Sequence, residues 1–196
     1  MIDYKLIVKA VLIFISFLSF AFAGDFEDAV ALEQKGNYSK AASLYLKAAK
    51  EGDSSAQANI ATLYRTGRGV PQSIEQAIFW WRKAAELGNR RAEFNLGISY
   101  SQGNGVKQDE KEAIFWIRKA AEHGHPLAQF NLGNRYEKGL GVEKDNVKAI
   151  KWLTLASRSG DSNAKHQAEV LAARMNKGDL EEAKQQTVEW MKAYLK

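Results

Sequence analysis

Apolar residues in this chain fall into two registers. From Ala10 to Ala23 they form one block, AVLIFISFLSFAFA, without a charge. Beyond it they recur every three to four residues between charged positions, the spacing that lines one face of an α-helix. Ala92, Leu96 and Tyr100 are four apart, and Ala77, Trp80 or Trp81, and Ala84 recur in the same way.

The pattern also repeats at long range. Ala56, Ala92, Ala128 and Ala164 are spaced by 36 residues, as are Tyr64, Tyr100 and Tyr136, and Trp80, Trp116 and Trp152. The same step links Gly67, Gly103 and Gly139, then Gly69, Gly105 and Gly141, then Gly52, Gly88, Gly124 and Gly160. A period of this length marks a solenoid of stacked units, each too small to bury its apolar face alone. The spacing predicts two helices per unit. First helices are predicted over 54–66, 90–102 and 126–138, capped at their N-termini by Asp53, Asn89 and His125; Asp161 would cap the next. Pro126 suits the first helical position, where a missing N–H does no harm. Second helices follow a Gly-x-Gly-Val turn, with Ser73, Asp109 and Asp145 as caps and Asp109 with Glu112 as a capping box. The tryptophans are predicted core residues. Each buries ~200 Å² at ~25 cal/mol/Å², an upper bound of ~5 kcal/mol per unit. The divisions are 1–23, 24–53 as a degenerate first unit, 54–89, 90–125 and 126–161 as full copies, and 162–196 as a closing helix pair. In that pair Ala164–Met175 reads as a first helix, and Asp179 with Glu182 as a capping box opening the last helix, whose apolar face holds Ala183, Trp190 and Tyr194.

The N-terminal block changes the picture in a different way. Lys5 and Lys9 precede it, and Ala21-Phe22-Ala23 closes it with small residues at the −3 and −1 positions of a cleavage site. These are the parts of a secretory signal peptide, and fourteen uncharged residues are too few to cross ~30 Å of hydrocarbon as a helix. The chain is therefore expected to be exported, with no stable membrane insertion after cleavage. A periplasmic location is expected first, a secreted one second. There is no cysteine, which excludes disulfides, thiolate metal sites and lipoprotein acylation. The hydrophobic share of 45% excludes intrinsic disorder. The formal charge of +5 falls by one when the signal is removed, and the charges are mixed along the chain, Arg90-Arg91 being the one adjacent basic pair of note. Nucleic-acid binding would need a basic stripe and is not expected.

These residues carry a family resemblance. Ala92-Glu-Phe-Asn-Leu-Gly97, Tyr100, Gly103-x-Gly-Val106, Asp109, Ala113, Trp116, Lys119-Ala-Ala-Glu122 and Gly124 resemble a Sel1-like repeat. Three full copies span about residues 55–162, while Lys35-Gly-Asn-Tyr38 through Ala41 is closer to a tetratricopeptide repeat. The resemblance implies an all-α fold, a right-handed superhelix (α-solenoid) of antiparallel helix pairs. It further implies a non-enzymatic scaffold for protein partners, without a cofactor. Two departures are Pro71 after the Val70 turn, and Thr154-Leu155-Ala156-Ser157 in place of the Lys-Ala-Ala pattern.

Little of the chemistry-bearing sequence points to catalysis. The Gly-x-Gly turns are not phosphate loops, because they end helices, where the dipole repels anions. Ser162-Asn-Ala-Lys165 matches the Ser-x-x-Lys of penicillin-recognising enzymes, and some members of the resembled family have been labelled β-lactamases. Its companions Ser-Asp-Asn and Lys-Thr-Gly are missing. A cell-wall-related hydrolase or penicillin binder using Ser162 stands as the alternative to the scaffold. His123 and His125 flank Gly124 without a third ligand, so no metal is expected.

Two surfaces are candidates for a partner. Beside the core face of the first helices runs a stripe: Asn59 and Thr62, then Arg91, Asn95 and Gln102, then Asn131, Asn134 and Lys138. In stacked pairs the first helices line the concave side, where an asparagine ladder suits a peptide backbone. Equally, these amides would tie one unit to the next. The second surface is Phe79 and Phe115, expected to face outward before the core tryptophan. Either they form a contact ridge or the stems of Arg82 and Arg118 cover them.

Overall fold

The computed structural model describes residues 24–194, so the predicted signal segment 1–23 lies outside the described residues. Among these residues there are ten helices and no strand: α1 (24–34), α2 (Tyr38–Lys50), α3 (Ser54–Thr66), α4 (Ile74–Glu86), α5 (Arg90–Gln102), α6 (Glu110–Glu122), α7 (Pro126–Lys138), α8 (Asn146–Ser157), α9 (Ser162–Ala172) and α10 (Lys177–Tyr194). The fold is an all-α repeat fold.

The helix starts follow from local chemistry. Asp53, Asn89, His125 and Asp161 are extended residues whose side chains accept the backbone N–H of Ala56, Ala92, Ala128 and Ala164, so every first helix opens on the same device. The predicted first helices are α3, α5 and α7, with the predicted bounds. They end alike: Gly67, Gly103 and Gly139 adopt φ 68°, 70° and 69°, a left-handed cap that a side chain would strain.

Two capping boxes form differently from the expectation. Asp109 does accept from the N–H of Lys111 and Glu112, but the Glu112 carboxylate accepts the Trp116 indole N–H at 3.1 Å instead of folding back to the cap. The Asp109 backbone N–H already donates to the Tyr100 carbonyl at 3.0 Å, which leaves the Glu112 carboxylate to serve the buried indole N–H one turn along the helix. In the last helix the cap is Asn176, three residues before Asp179: its Oδ1 accepts the Asp179 N–H at 2.9 Å, and its amide nitrogen donates to the Asp179 carboxylate. Asp179 thus sits inside the first turn of α10. The preceding helix likewise runs over Ser162–Ala172 rather than to Met175.

The chain divides into two compact units after Lys83. In the first, small residues let helices meet closely: Ala41, Ala56, Ala61 and Ala77 are fully buried around Tyr45, Ile60 and Trp81. The Tyr45 hydroxyl donates to Glu33 at 2.7 Å, and the Gln57 amide donates to the Ala49 carbonyl at 3.0 Å. The Trp80 and Trp81 indole N–H groups are buried without a partner among the described residues.

The second unit is built from α5 onward. Leu96, Ile117, Leu132 and Leu153 are fully buried, with Trp116 and Trp152 nearly so. In the α5–α6 and α7–α8 pairs the close approach depends on glycine: a Cβ at Gly97 would lie 2.7 Å from Ile117, and one at Gly133 2.8 Å from Leu153. The helix α10 packs along α8. Trp190 meets Trp152 edge to face and stacks on Tyr194 at 4.5 Å. The Tyr194 hydroxyl then donates to the His123 carbonyl at 2.9 Å and accepts from Arg90 at 2.8 Å. A side chain at Gly124 would collide with the Tyr194 ring, so this turn glycine also makes room for the last helix.

Candidate binding surfaces

Polar residues on the first helices divide by what they are bonded to. In α3, Thr62 donates to the carbonyl of Ala58 in its own helix, and Asn59 is half-buried. In α5, Arg91 and Gln102 are exposed, and the half-buried Asn95 amide has no side-chain hydrogen bond among the described residues. In α7 the amides are engaged: Asn131 accepts from Arg135 Nε at 2.8 Å, and Asn134 accepts from Gln167 of α9, which also donates to Glu137. Lys138 is exposed. The repeat-tying role therefore holds for Asn134, which bonds to the next unit.

Sequence reasoning missed Arg135 at the centre of these bonds. It is buried, where one period earlier Ser99 stands, and it reaches Glu110 of α6, Ser101 of α5 and the carbonyl of Leu140. A lone arginine where the other copies carry a small or apolar residue was the signal for it.

The two phenylalanines are exposed as expected, Phe79 by 47% and Phe115 by 48%. A lysine covers each ring: Lys83 Nζ lies 5.3 Å from the Phe79 ring, and Lys119 Nζ 5.2 Å from that of Phe115. A residue four positions on stands over the ring on a helix, whereas Arg118, three on, turns to the Tyr136 hydroxyl. Each ring also meets its neighbouring tryptophan edge to face at 5.0 Å.

The histidines do separate work. His123 Nδ1 lies 2.8 Å from the Glu93 carboxylate, which is wholly buried. Burial pushes the Glu93 carboxyl above its ordinary value, against the opposing pull of His123. In the other two copies this position is glutamine, and Gln129 donates its amide to the Ala121 carbonyl at 3.2 Å. His125 stacks on Phe94 and caps α7, and burial together with Arg90 and Arg91 lowers its pKa to about 4. No group of three metal-ligating side chains occurs among the described residues. Ser162 and Lys165 are exposed on α9, where Lys165 pairs with Glu169 at 4.0 Å.

A further concavity lies between α6 and the turn that leads into α8. It has a volume of about 560 Å³. Ile114, Tyr136 and Val142 supply apolar surface, and Lys111, Arg118, Lys144 and Lys148 ring it with positive charge beside Glu143 and Asp145. Lys148 pairs with Asp145 at 2.8 Å while lying 5.5 Å from the centre of the Tyr136 ring. The hydrogen bond to Asp145 raises the Lys148 pKa; burial works to raise that of Asp145, but the bonds from Lys148 outweigh it and hold the carboxyl low. Lys111 and Lys144 have no ion-pair partner among the described residues.

The Sel1 repeat model matches residues 31–53, 54–89, 90–125 and 126–161, most of the chain. The chain belongs to the Sel1 repeat family. Among solved Sel1 structures, it is 37% identical to the c5321 protective antigen of uropathogenic Escherichia coli strains, which displays an SLR fold. That alignment covers 88% of this chain and 38% of the antigen, with a TM-score of 0.75. It is 35% identical to a Sel1 repeat protein from Oxalobacter formigenes, over 71% of this chain and 56% of that one, with a TM-score of 0.68. The chain thus spans under two thirds of the length of either relative. No curated protein matches it. Sel1 repeats commonly serve as protein–protein interaction scaffolds, typically without catalysis. Among the described residues, no helix is long and apolar enough to cross a membrane.

Proposed function

We propose that this Sel1 repeat chain is an exported, non-enzymatic scaffold that holds a protein or peptide partner on its first-helix face, in the periplasm of a bacterial cell. The observation that carries the reading is a division of labour along α5. Ala92, Leu96 and Gly97 serve the core, while Arg91 and Gln102 are exposed and the half-buried Asn95 amide makes no side-chain hydrogen bond among the described residues. Structure makes little use of the Asn95 and Gln102 amides, so these two are available to a backbone or side chain arriving from outside. Export is supported by Lys5, Lys9, the apolar run to Ala23 and the Ala21-Phe22-Ala23 site.

The test is crosslinking in the native envelope with the wild-type chain and with Asn95→Ala/Gln102→Ala. A defined partner recovered by the first and lost by the second, at unchanged thermal stability, is expected. Recovery of the same partner by both would place binding elsewhere on the molecule. Turnover of a β-lactam by the folded chain, abolished by Ser162→Ala, would overturn the non-enzymatic reading.

A further inference from the structure

Comparing the α6–α8 concavity with the preceding copy separates framework from addition. Ile114, Arg118, Tyr136, Gly141, Val142 and Asp145 have identical residues one period earlier: Ile78, Arg82, Tyr100, Gly105, Val106 and Asp109. The remaining lining does not repeat. Lys111 stands where the previous copy has Glu75, Lys148 where it has Glu112, and Lys144 where it has Gln108, while Glu143 replaces Lys107. Two acidic positions and a neutral one have become basic on an unchanged scaffold. Nothing in the fold requires this reversal, because the earlier copy closes the same turn with the opposite charges.

The reversal leaves a surface with a definite preference. Lys148 is positioned by Asp145 and Arg118 by the Tyr136 hydroxyl at 3.3 Å, whereas Lys111 and Lys144 are exposed and uncompensated among the described residues. Between these cations the apolar surfaces of Ile114, Tyr136 and Val142 favour a ligand that is not anionic throughout. Glu143 and Asp145 within the ring repel a dense polyanion such as a polyphosphate or nucleic-acid backbone. Carboxylates separated by apolar side chains match the alternation of cation and hydrocarbon.

We propose that the concavity between α6 and the 139–145 turn binds an acidic peptide segment of a partner protein, with Lys111, Lys144 and Lys148 taking its carboxylates and Ile114, Tyr136 and Val142 its apolar side chains. This deepens the scaffold reading and rests on it.

The experiment uses the full chain and a short fluorescein-labelled peptide of glutamate, leucine and glycine, read by anisotropy. Saturable binding that weakens as salt rises is expected, with affinity reduced about tenfold or more in Lys111→Glu/Lys148→Glu, a difference of about 1.4 kcal/mol. That variant restores the residues of the preceding copy, and a glutamate in the first turn of α8 is compatible with its cap. Lys111→Ala/Lys144→Ala leaves the α8 start untouched and is expected to lose several-fold. No saturable binding by the wild type, equal affinity in both variants, or stronger binding of inorganic tripolyphosphate than of the peptide would each overturn the proposal. A cellular partner held equally by the wild type and the lysine variants would also retire the concavity while leaving the scaffold intact. Loss of every partner by the wild type would instead remove the scaffold reading itself.

Discussion

In the 90–125 copy the Asn95 amide makes no side-chain bond among the described residues, whereas one period later Asn131 holds the Arg135 guanidinium at 2.8 Å. The frameworks are the same: Ala92 and Ala128, Leu96 and Leu132, and Trp116 and Trp152 are buried in both. The difference lies in what surrounds each copy. The 126–161 copy joins the preceding pair through Arg135, Glu110 and Ser101, and joins α9 through Asn134, Glu137 and Gln167. Its polar residues are drawn into structure. The 90–125 copy instead leaves the Asn95 and Gln102 amides without a side-chain hydrogen bond among the described residues and carries a buried carboxylate, Glu93, where its neighbour has the amide of Gln129. One repeat sequence can thus give a structural unit or a surface unit through a few side chains outside the period.

The largest effects should come from breaking what the two copies share. Trp116→Ala removes an indole that is 7% exposed and leaves Glu112 without its donor, and Trp152→Ala removes the ring that meets Trp190. Each is expected to destabilise by roughly 3–5 kcal/mol, measured by denaturant unfolding. Trp152→Ala should in addition raise amide exchange along α10. An equally stable Trp116→Ala protein would contradict the assignment of the tryptophans to the core.

Exchanging the buried acid and amide sharpens the contrast directly. The folded Glu93 carboxyl is raised above its ordinary 4.5, so its contribution to stability is fully present below that pH and is lost as pH rises through the raised value. Glu93→Gln is expected to be more stable than the wild type at neutral pH by about 1–2 kcal/mol, with the gain shrinking in acid. Gln129→Glu, which would set a carboxylate against the Ala121 carbonyl, should cost about 1–3 kcal/mol. If Glu93→Gln were less stable at pH 7, the His123 pair would outweigh the burial of the acid, and the contrast between the copies would need to be redrawn.

What could be read from the sequence was local or periodic. The caps at Asp53, Asn89, His125 and Asp161 and the left-handed glycines depend on a few adjacent residues, and the period repeats them until the pattern is unambiguous. The start of α10 was misplaced because Asn176 and Asp179 are both good caps, and only the folded chain shows which accepts the other's N–H. The lysine cover on Phe115 depends on whether the third or fourth residue along stands over the ring, a choice settled when Arg118 found Tyr136. The cationic concavity joins residues 111 to 148 through tertiary packing. Its signal was present nonetheless, in Lys111 and Lys148 breaking a period that places Glu75 and Glu112 before them.

Acid should separate the copies by their caps. His125 is held neutral, with a pKa near 4, while Asn89 does not titrate. A histidine whose folded pKa is lowered contributes stability above its ordinary 6.5 that is lost as pH falls from there toward about 4, because the unfolded chain takes up the proton first. His125→Asn is expected to be close to neutral at pH 7, where a better cap offsets the lost stacking on Phe94. By pH 5 it should be more stable than the wild type by on the order of 1 kcal/mol. Parallel thermal melts across that range test this, and curves that stay a constant distance apart would exclude the cap as the titrating element.

The smallest effect is the most informative about function. Asn95→Ala removes an amide with no side-chain bond among the described residues and should leave stability within about 0.5 kcal/mol. Asn131→Ala leaves a buried guanidinium short of one acceptor and should cost about 1–2 kcal/mol. If the two differ in this direction, the second copy's amide is free of structural duty, and any loss of partner binding in Asn95→Ala can be assigned to contact rather than to unfolding. Equal destabilisation would mean that Asn95 is tied into the fold as firmly as Asn131, and the stripe would lose its claim to be a binding surface.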